Sequence, residues 1–204
     1  MNTEQARQWI ERLVNDRRSI KPADFDPERP VDCEQLEWLL RLAQRAPTHG
    51  LTEPWRFAVF TGPSRQRLGR HLQDLYRDAT PEPRQQPQKL AKLATTPPLS
   101  PVVIVIGVGW DVSGKIPQIE EVAATACAVQ NLHLAATALG LAGYWSSPAC
   151  LYHANGPAHL GLADQMDQLL GLFYLGWPRQ GLHRPATLRS PLDRQVTWHH
   201  DDES

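Results

Sequence analysis

Arg17-Arg18-Ser19 places two guanidiniums and a hydroxyl within three residues. Such a grouping can hold a phosphate through charge-assisted, bidentate hydrogen bonds. The same residues also suit a solvated pair at a helix C-terminus, where the dipole favours cations. A second segment, Ala46-Pro47-Thr48-His49-Gly50-Leu51-Thr52-Glu53-Pro54-Trp55-Arg56-Phe57, sets polar side chains between two prolines. The prolines exclude a helix there, and the side chains between them are able to hydrogen-bond the edge of a heterocycle. The plainer reading is a helix-to-strand connection anchored by a buried Trp. A third segment, Leu141-Ala142-Gly143-Tyr144-Trp145-Ser146-Ser147-Pro148, offers an aromatic face and two small donors at a strand end. Trp145, Ser146 and Ser147 could line a flat ring, or simply end a strand.

Other chemistries fail on spacing. Gly107-Val108-Gly109 follows an apolar run, but a dinucleotide fingerprint would need glycine at position 112, where Val112 stands. Ser113, Gly114 and Pro117 read instead as loop. His153 and His159 are six apart, the wrong spacing for one helix face, and His199-His200 sit in a polar tail. No carboxylate joins either pair, so no metal site is expected. There is no Gly-x-Ser-x-Gly elbow and no Cys–His pattern, which leaves hydrolytic catalysis without support. Cys33, Cys127 and Cys150 are scattered and odd in number, as expected of reduced thiols in a cytoplasmic protein.

The elements that must position these segments follow from periodicity. Ala6, Ile10, Leu13 and Val14 mark an amphipathic helix from Thr3 to Asp16 that runs into Arg17. Asp32 and Gln35 form a capping-box signature for a helix through Leu36, Leu39, Leu40 and Ala43, which Pro47 stops. Arg56–Phe60 reads as a strand, and Leu68, Leu72 and Leu75 as the next helix. Pro81, Pro83, Pro87, Pro97, Pro98 and Pro101 confine the following stretch to a loop around one helical piece near Gln88–Ala94. Val102–Val108, apolar throughout, predicts a central strand covered on both faces. Glu120–Gly140 is the longest helical stretch, and Ala142–Ser147 and Leu169–Leu175 read as strands. Pro185–Trp198 has no helical period. The mixture predicts an α+β or α/β domain over residues 1–198, with 199–204 as a polar tail. With 21 basic against 22 acidic residues, nothing points to nucleic acid or to an anionic membrane. No apolar run is long enough to span a bilayer, and no secretory segment opens the chain.

Taken in order and at these separations, the three segments resemble the nitroreductase family, most closely its short YdjA-type members. The resemblance runs from about Glu4 to Val196. It includes the alanine-rich helix and Leu172-Phe173-Tyr174-Leu175-Gly176-Trp177-Pro178. It implies an α+β sandwich with a mainly antiparallel central sheet flanked by helices and completed by a C-terminal arm swapped from a dimer partner. It further implies a homodimer with FMN at the interface, reduced by NADH or NADPH and reoxidised by a small-molecule electron acceptor, a nitroaromatic or quinone. By the same resemblance, Arg17 and Ser19 would take the flavin phosphate and ribityl oxygens, with Arg18 beside them. Arg189, in Arg189-Ser190-Pro191-Leu192, would join them. His49 and Glu53 would approach the isoalloxazine from the other subunit, and Trp145, Ser146 and Ser147 would run along the ring. No side chain need act as a covalent nucleophile.

Three positions depart from the family's pattern. Glu53 stands where Gln is usual, Leu51 where longer members have Asn, and Pro148 where Gly is common and supplies an N–H. Two other functions share the scaffold: a flavoprotein with flavin-consuming or dehalogenating chemistry that uses no nicotinamide, and a flavin-free dimeric interaction protein.

Overall fold

Seven consecutive buried residues, Val102–Val108, form the strand β2 on which the fold is organised. A computed structural model describes residues 2–182 and 188–199. In it β2 lies between β1 (Trp55–Thr61) and β4 (Gln168–Gly176), while β3 (Ala142–Ser146) borders β4. The order is β1-β2-β4-β3 and every pairing is antiparallel.

The period of two along β2 divides the interior. Val102, Ile104 and Ile106 face a core with Leu39 and Leu132, whereas Val103 and Val105 face another with Leu68, Leu72 and Leu75. Helices therefore cover both faces. α2 (Cys33–Ala43) and α5 (Gln118–Ala138) lie on the first. α3 (Ser64–Ala79), α4 (Pro87–Thr95) and the short α6 (Gly156–His159) lie on the second. The α+β expectation holds, as does the prediction of a single short α-helix within the proline-rich stretch.

The expected capping box of Asp32 and Gln35 starts α2. Asn2 and Gln5 form a second one at α1 (Thr3–Asp16). No residue of α1 is buried, and Trp9, Ile10 and Val14 on its apolar side stay exposed. α5 begins before the expected Glu120 because Pro117 is its N-cap. After the Gly107-Val108-Gly109 strand end, Asp111 accepts hydrogen bonds from the backbone of Ser113, Lys115 and Ile116. Those bonds, with the Ser113 hydroxyl foremost, hold its carboxyl below the usual range. A carboxylate-nucleated loop thus stands where a dinucleotide fold would open a helix.

The histidine reading needs one correction. A carboxylate does join His153 and His159. Asp78 Oδ2, near the end of α3, lies 3.1 Å from His159 Nε2 and 3.7 Å from His153 Nδ1. The three meet only through tertiary packing, so sequence spacing could not show it. Hydrogen bonds from His159 and then Asn155 hold the Asp78 carboxyl low. Among the described residues no group of three or more such side chains is arranged to hold a metal ion. No described helix is long and apolar enough to cross a membrane.

Candidate functional site

α1 ends where Arg17 turns to extended backbone, its N–H donating to the Leu13 carbonyl at 3.1 Å. The chain then runs beside β3. Ser19 bridges Gly143 in parallel, and the Ile20 N–H donates to the Gly143 carbonyl at 3.0 Å. Arg18 Nη1 donates to the carbonyls of Asn15 and Arg17, groups that a helix C-terminus leaves open. Its Nε is buried with no hydrogen-bond partner.

Arg17 is half-buried. Burial, then the charges of Arg18 and Arg189, draw its pKa below the ordinary guanidinium value. The charge of Arg189, far along the chain, is thus felt at this turn. Among the described residues none of the three is paired with a carboxylate. Like charges beside an exposed serine, with no carboxylate partner among the described residues, are an arrangement that an anion would relieve.

The turn is held from below by His133 of α5, a polar residue within the alanine-rich helix. Its Nε2 lies 3.2 Å from the Arg18 carbonyl. Its ring meets Phe173 edge-on, with centroids 5.2 Å apart. Burial, then the Arg17 charge, pushes its pKa down to about 4. It is therefore a neutral imidazole whose Nε2–H donates to the Arg18 carbonyl. Gly143 makes room for this contact, since a Cβ there would collide with both rings. The glycine of the third sequence segment serves the first segment.

Past Gly143, β3 enters a cavity of about 1210 Å³ whose lining includes Trp145, Ser146 and Ser147. The Trp145 indole lies over Gly171, and its Nε1 is buried without a partner. Ser147 Oγ donates to the Leu170 carbonyl at 3.2 Å. Tyr144 and Tyr174 add aromatic wall, their rings 6.3 Å apart. Burial and then Tyr144 push the Tyr174 phenol well up.

Cationic lining of this cavity went unrecognised in the sequence. Lys21 follows Ser19 by two residues, and Lys89 and Lys92 sit one helical turn apart on α4. The signal was present in Lys21, which extends the Arg-Arg-Ser turn, and in the i, i+3 spacing of the α4 lysines.

His49 and Glu53 do not line this cavity. They lie on the loop before β1, where Gly50, Leu51 and Glu53 all take positive φ, at 60°, 55° and 45°. Left-handed backbone is costly for the two non-glycine residues and tends to gather at functional sites. His49 Nδ1 pairs with Glu120 Oε2 at 2.6 Å, tying the loop to the first turn of α5. Arg56 Nη1 donates to the Glu53 carbonyl at 2.8 Å, so the loop is held by backbone and the Glu53 carboxylate is left exposed. Within one chain, then, Arg17, Arg18 and Ser19 share one turn, where the charge of Arg189 is felt, and Trp145–Ser147 line the cavity. His49 and Glu53 stand apart from both.

The nitroreductase family model matches residues 14–177, which span the Arg-Arg-Ser turn, the loop before β1, the cavity strand and β4. The chain belongs to the nitroreductase family. It is 29% identical over 170 residues to YdjA of Escherichia coli (strain K12), whose name places it among NAD(P)H nitroreductases. That match covers 83% of this chain and 88% of YdjA. Over a shorter stretch of 74 residues it is 38% identical to the nitrobenzene nitroreductase of Ectopseudomonas oleovorans, covering 36% of this chain and 31% of that protein. Among solved structures, a nitroreductase-like family protein from Bacillus cereus superposes with a TM-score of 0.79 at 25% identity, covering 93% of this chain and 95% of that one. The FMN-dependent nitroreductase NfnB from Mycobacterium smegmatis, solved with NADPH, shares the fold with a TM-score of 0.71 at 21% identity over 96% of this chain and all of that one.

Proposed function

We propose that this chain is an FMN-dependent oxidoreductase that uses NADH or NADPH to reduce nitroaromatic or quinone acceptors by a ping-pong mechanism. The observation that carries the reading is the Arg17-Arg18-Ser19 turn, whose arginines have no carboxylate partner among the described residues, two residues before Lys21 of the cavity lining. These residues fit the flavin. Arg17, Arg189 and the Ser19 hydroxyl would hold its phosphate, and Trp145, Ser146 and Ser147 would lie along its ring. Bound FMN would supply two-electron chemistry, taking hydride from the nicotinamide and returning electrons to the acceptor. The balance is NAD(P)H + H⁺ + ArNO₂ → NAD(P)⁺ + ArNO + H₂O, or NAD(P)⁺ and QH₂ when the acceptor is a quinone, Q. The protein's own part is binding, orientation and exclusion of water. His133 and Gly143 fix the phosphate turn, and the buried aromatic wall lowers the local dielectric.

The working form in this reading is a cytoplasmic homodimer of one domain, residues 1–198, with flavin at the interface. The exposed apolar side of α1 supports it. So do Leu188 and Leu192 at 92% and 63% exposure, in an arm whose described residues form a short 3-10 turn, Leu192–Arg194. Among the described residues β1 pairs with β2 alone, leaving an edge that a partner's arm would cover. Residues 183–187 and 200–204 of the expected arm and tail lie outside the described residues. A second subunit would also bring His49 and Glu53 to the ring. The test is spectroscopic: purified protein is expected to carry FMN, or to take it up in preference to riboflavin, and to be bleached anaerobically by NADH or NADPH. A protein that binds FMN but is bleached by neither donor overturns the nicotinamide reading.

Glu53 offers a second test. A carboxylate at the ring disfavours the anionic reduced flavin, because like charges repel strongly in a partly dry site. Glu53→Gln is therefore expected to raise the midpoint potential of bound FMN and to speed its reduction by nicotinamide. The substitution leaves φ at 45° and the Arg56-to-carbonyl bond as they are, so loop geometry is not the variable. An unchanged potential, spectrum and reduction rate would remove Glu53 from the site.

A further inference from the structure

The large cavity has a charge pattern that the flavin phosphate does not account for. Its lining includes Lys21, Arg84, Lys89 and Lys92, and no aspartate or glutamate. The chain as a whole is balanced, with 21 basic and 22 acidic residues, so the asymmetry is local. Among the described residues none of these four side chains makes an ion pair, and Asp78, which meets the cavity-lining His153, is occupied by His153 and His159. Arg17, Arg18, Ser19 and Arg189 are not in the lining, so the phosphate cluster and the cavity cations are separate sets. The rest of the wall includes Tyr76, Tyr144, Trp145 and Tyr174, which gives aromatic faces beside the cations. At about 1210 Å³ the space exceeds the usual 300–1,000 Å³ of a small-molecule pocket, leaving room for a second aromatic molecule beside a flavin ring.

We propose that this cavity selects aromatic anions, with the ring against the Tyr/Trp wall and a carboxylate, sulfonate or phosphate group on Lys89 and Lys92 of α4. Lys89 and Lys92 lie at i, i+3 on one helix face, so both ammonium groups can meet one anion. Lys21 lies on the same lining as Trp145–Ser147 and serves the end shared with the flavin. The assignment of the ligand as an electron acceptor rests on the reductase reading above. The anion could also come from the donor, through the phosphates of the nicotinamide nucleotide, and the experiment separates the two sources.

The FMN-reconstituted protein is titrated calorimetrically with 4-nitrobenzoate and with neutral 4-nitrobenzamide, and separately with NADP⁺ and NAD⁺. The same titrations are run on Lys89→Ala/Lys92→Ala. Alanine keeps the helix propensity of these exposed positions, and circular dichroism with flavin content checks that the fold is kept. The expected result is about tenfold tighter binding of 4-nitrobenzoate than of 4-nitrobenzamide at low salt, with that ratio falling toward one in the double variant and in high salt. If the variant instead loses a preference for NADP⁺ over NAD⁺ while the two nitro compounds bind alike, the anion site stands and belongs to the donor. Equal binding of the two nitro compounds together with nucleotide affinities unmoved by the double substitution overturns the proposal. These affinities are measured without turnover. A failure of the nicotinamide bleaching test would therefore remove the reductase reading and leave this result to be judged on its own.

Discussion

Arg17→Ala is expected to weaken FMN binding ten- to a hundredfold, about 1.5–3 kcal/mol, the size of one lost charge-assisted contact. Ser19→Ala should cost less, about fivefold, because a neutral hydroxyl donates the weaker bond. Riboflavin, which has no phosphate, provides the internal control. Its affinity should be nearly the same for the wild-type and Arg17→Ala proteins if the guanidinium acts on the phosphate. The flavin-free protein supplies a second control. Arg17 sits among like charges and is partly desolvated, both of which oppose its charged form. Removing it should leave the apoprotein no less stable to urea, so a stability loss matching the affinity loss would indicate a merely structural role. The substitutions should also not add, since Arg189→Ala relieves repulsion on Arg17 while removing a phosphate contact. FMN fluorescence quenching across the single and double variants measures all of this. Unchanged FMN affinity in both Arg17→Ala and Ser19→Ala would remove the phosphate assignment.

The local parts of this site were legible in the sequence because each is a short run whose residues act together. Arg17-Arg18-Ser19 is a turn, and Trp145-Ser146-Ser147 is a strand end; both lie where periodicity put the element boundaries. β2 was legible because a fully apolar run admits few other environments. What escaped was convergence. Lys21, Arg84, Lys89 and Lys92 come from three separate segments, and a lysine on a short helix looks like solvated surface until the opposite wall is known. Asp78 reaches His153 and His159 only because α3 lies beside the segment after β3. α1 shows the reverse case. Its apolar stripe was plain in the sequence, but no residue of the helix is buried in the chain itself. That mismatch is what a surface made for a second subunit would show.

His133 escaped for a different reason, and it sets the stability of the phosphate turn in acid. Within an alanine-rich helix it reads as a polar break in an apolar run, yet it is 6% exposed and donates to the Arg18 carbonyl. Burial, then the Arg17 charge, moves its pKa from 6.5 in the open chain to about 4 in the fold. Between those values the unfolded chain binds the extra proton and the folded one does not. Stability from a neutral His133 is therefore fully present above pH 6.5 and is lost as the pH falls toward 4. The loss should reach about 2 kcal/mol at pH 5 relative to pH 8. Asp78, whose carboxyl is held low, loses its contribution only at still lower pH and so does not set this window. His133→Gln removes the titrating group while retaining an N–H donor. It is expected to be less stable than the wild-type protein at pH 8, where the edge contact with Phe173 is missed. It should lose about 2 kcal/mol less between pH 8 and pH 5. Urea midpoints of both proteins at the two pH values decide the matter. Parallel acid losses in the wild-type and variant proteins would show that His133 is not the group responsible. Bound FMN sharpens the test, because a phosphate beside Arg17 offsets the positive charge that a protonated His133 would meet. Saturating FMN should therefore reduce the wild-type acid loss and leave that of the variant nearly unchanged.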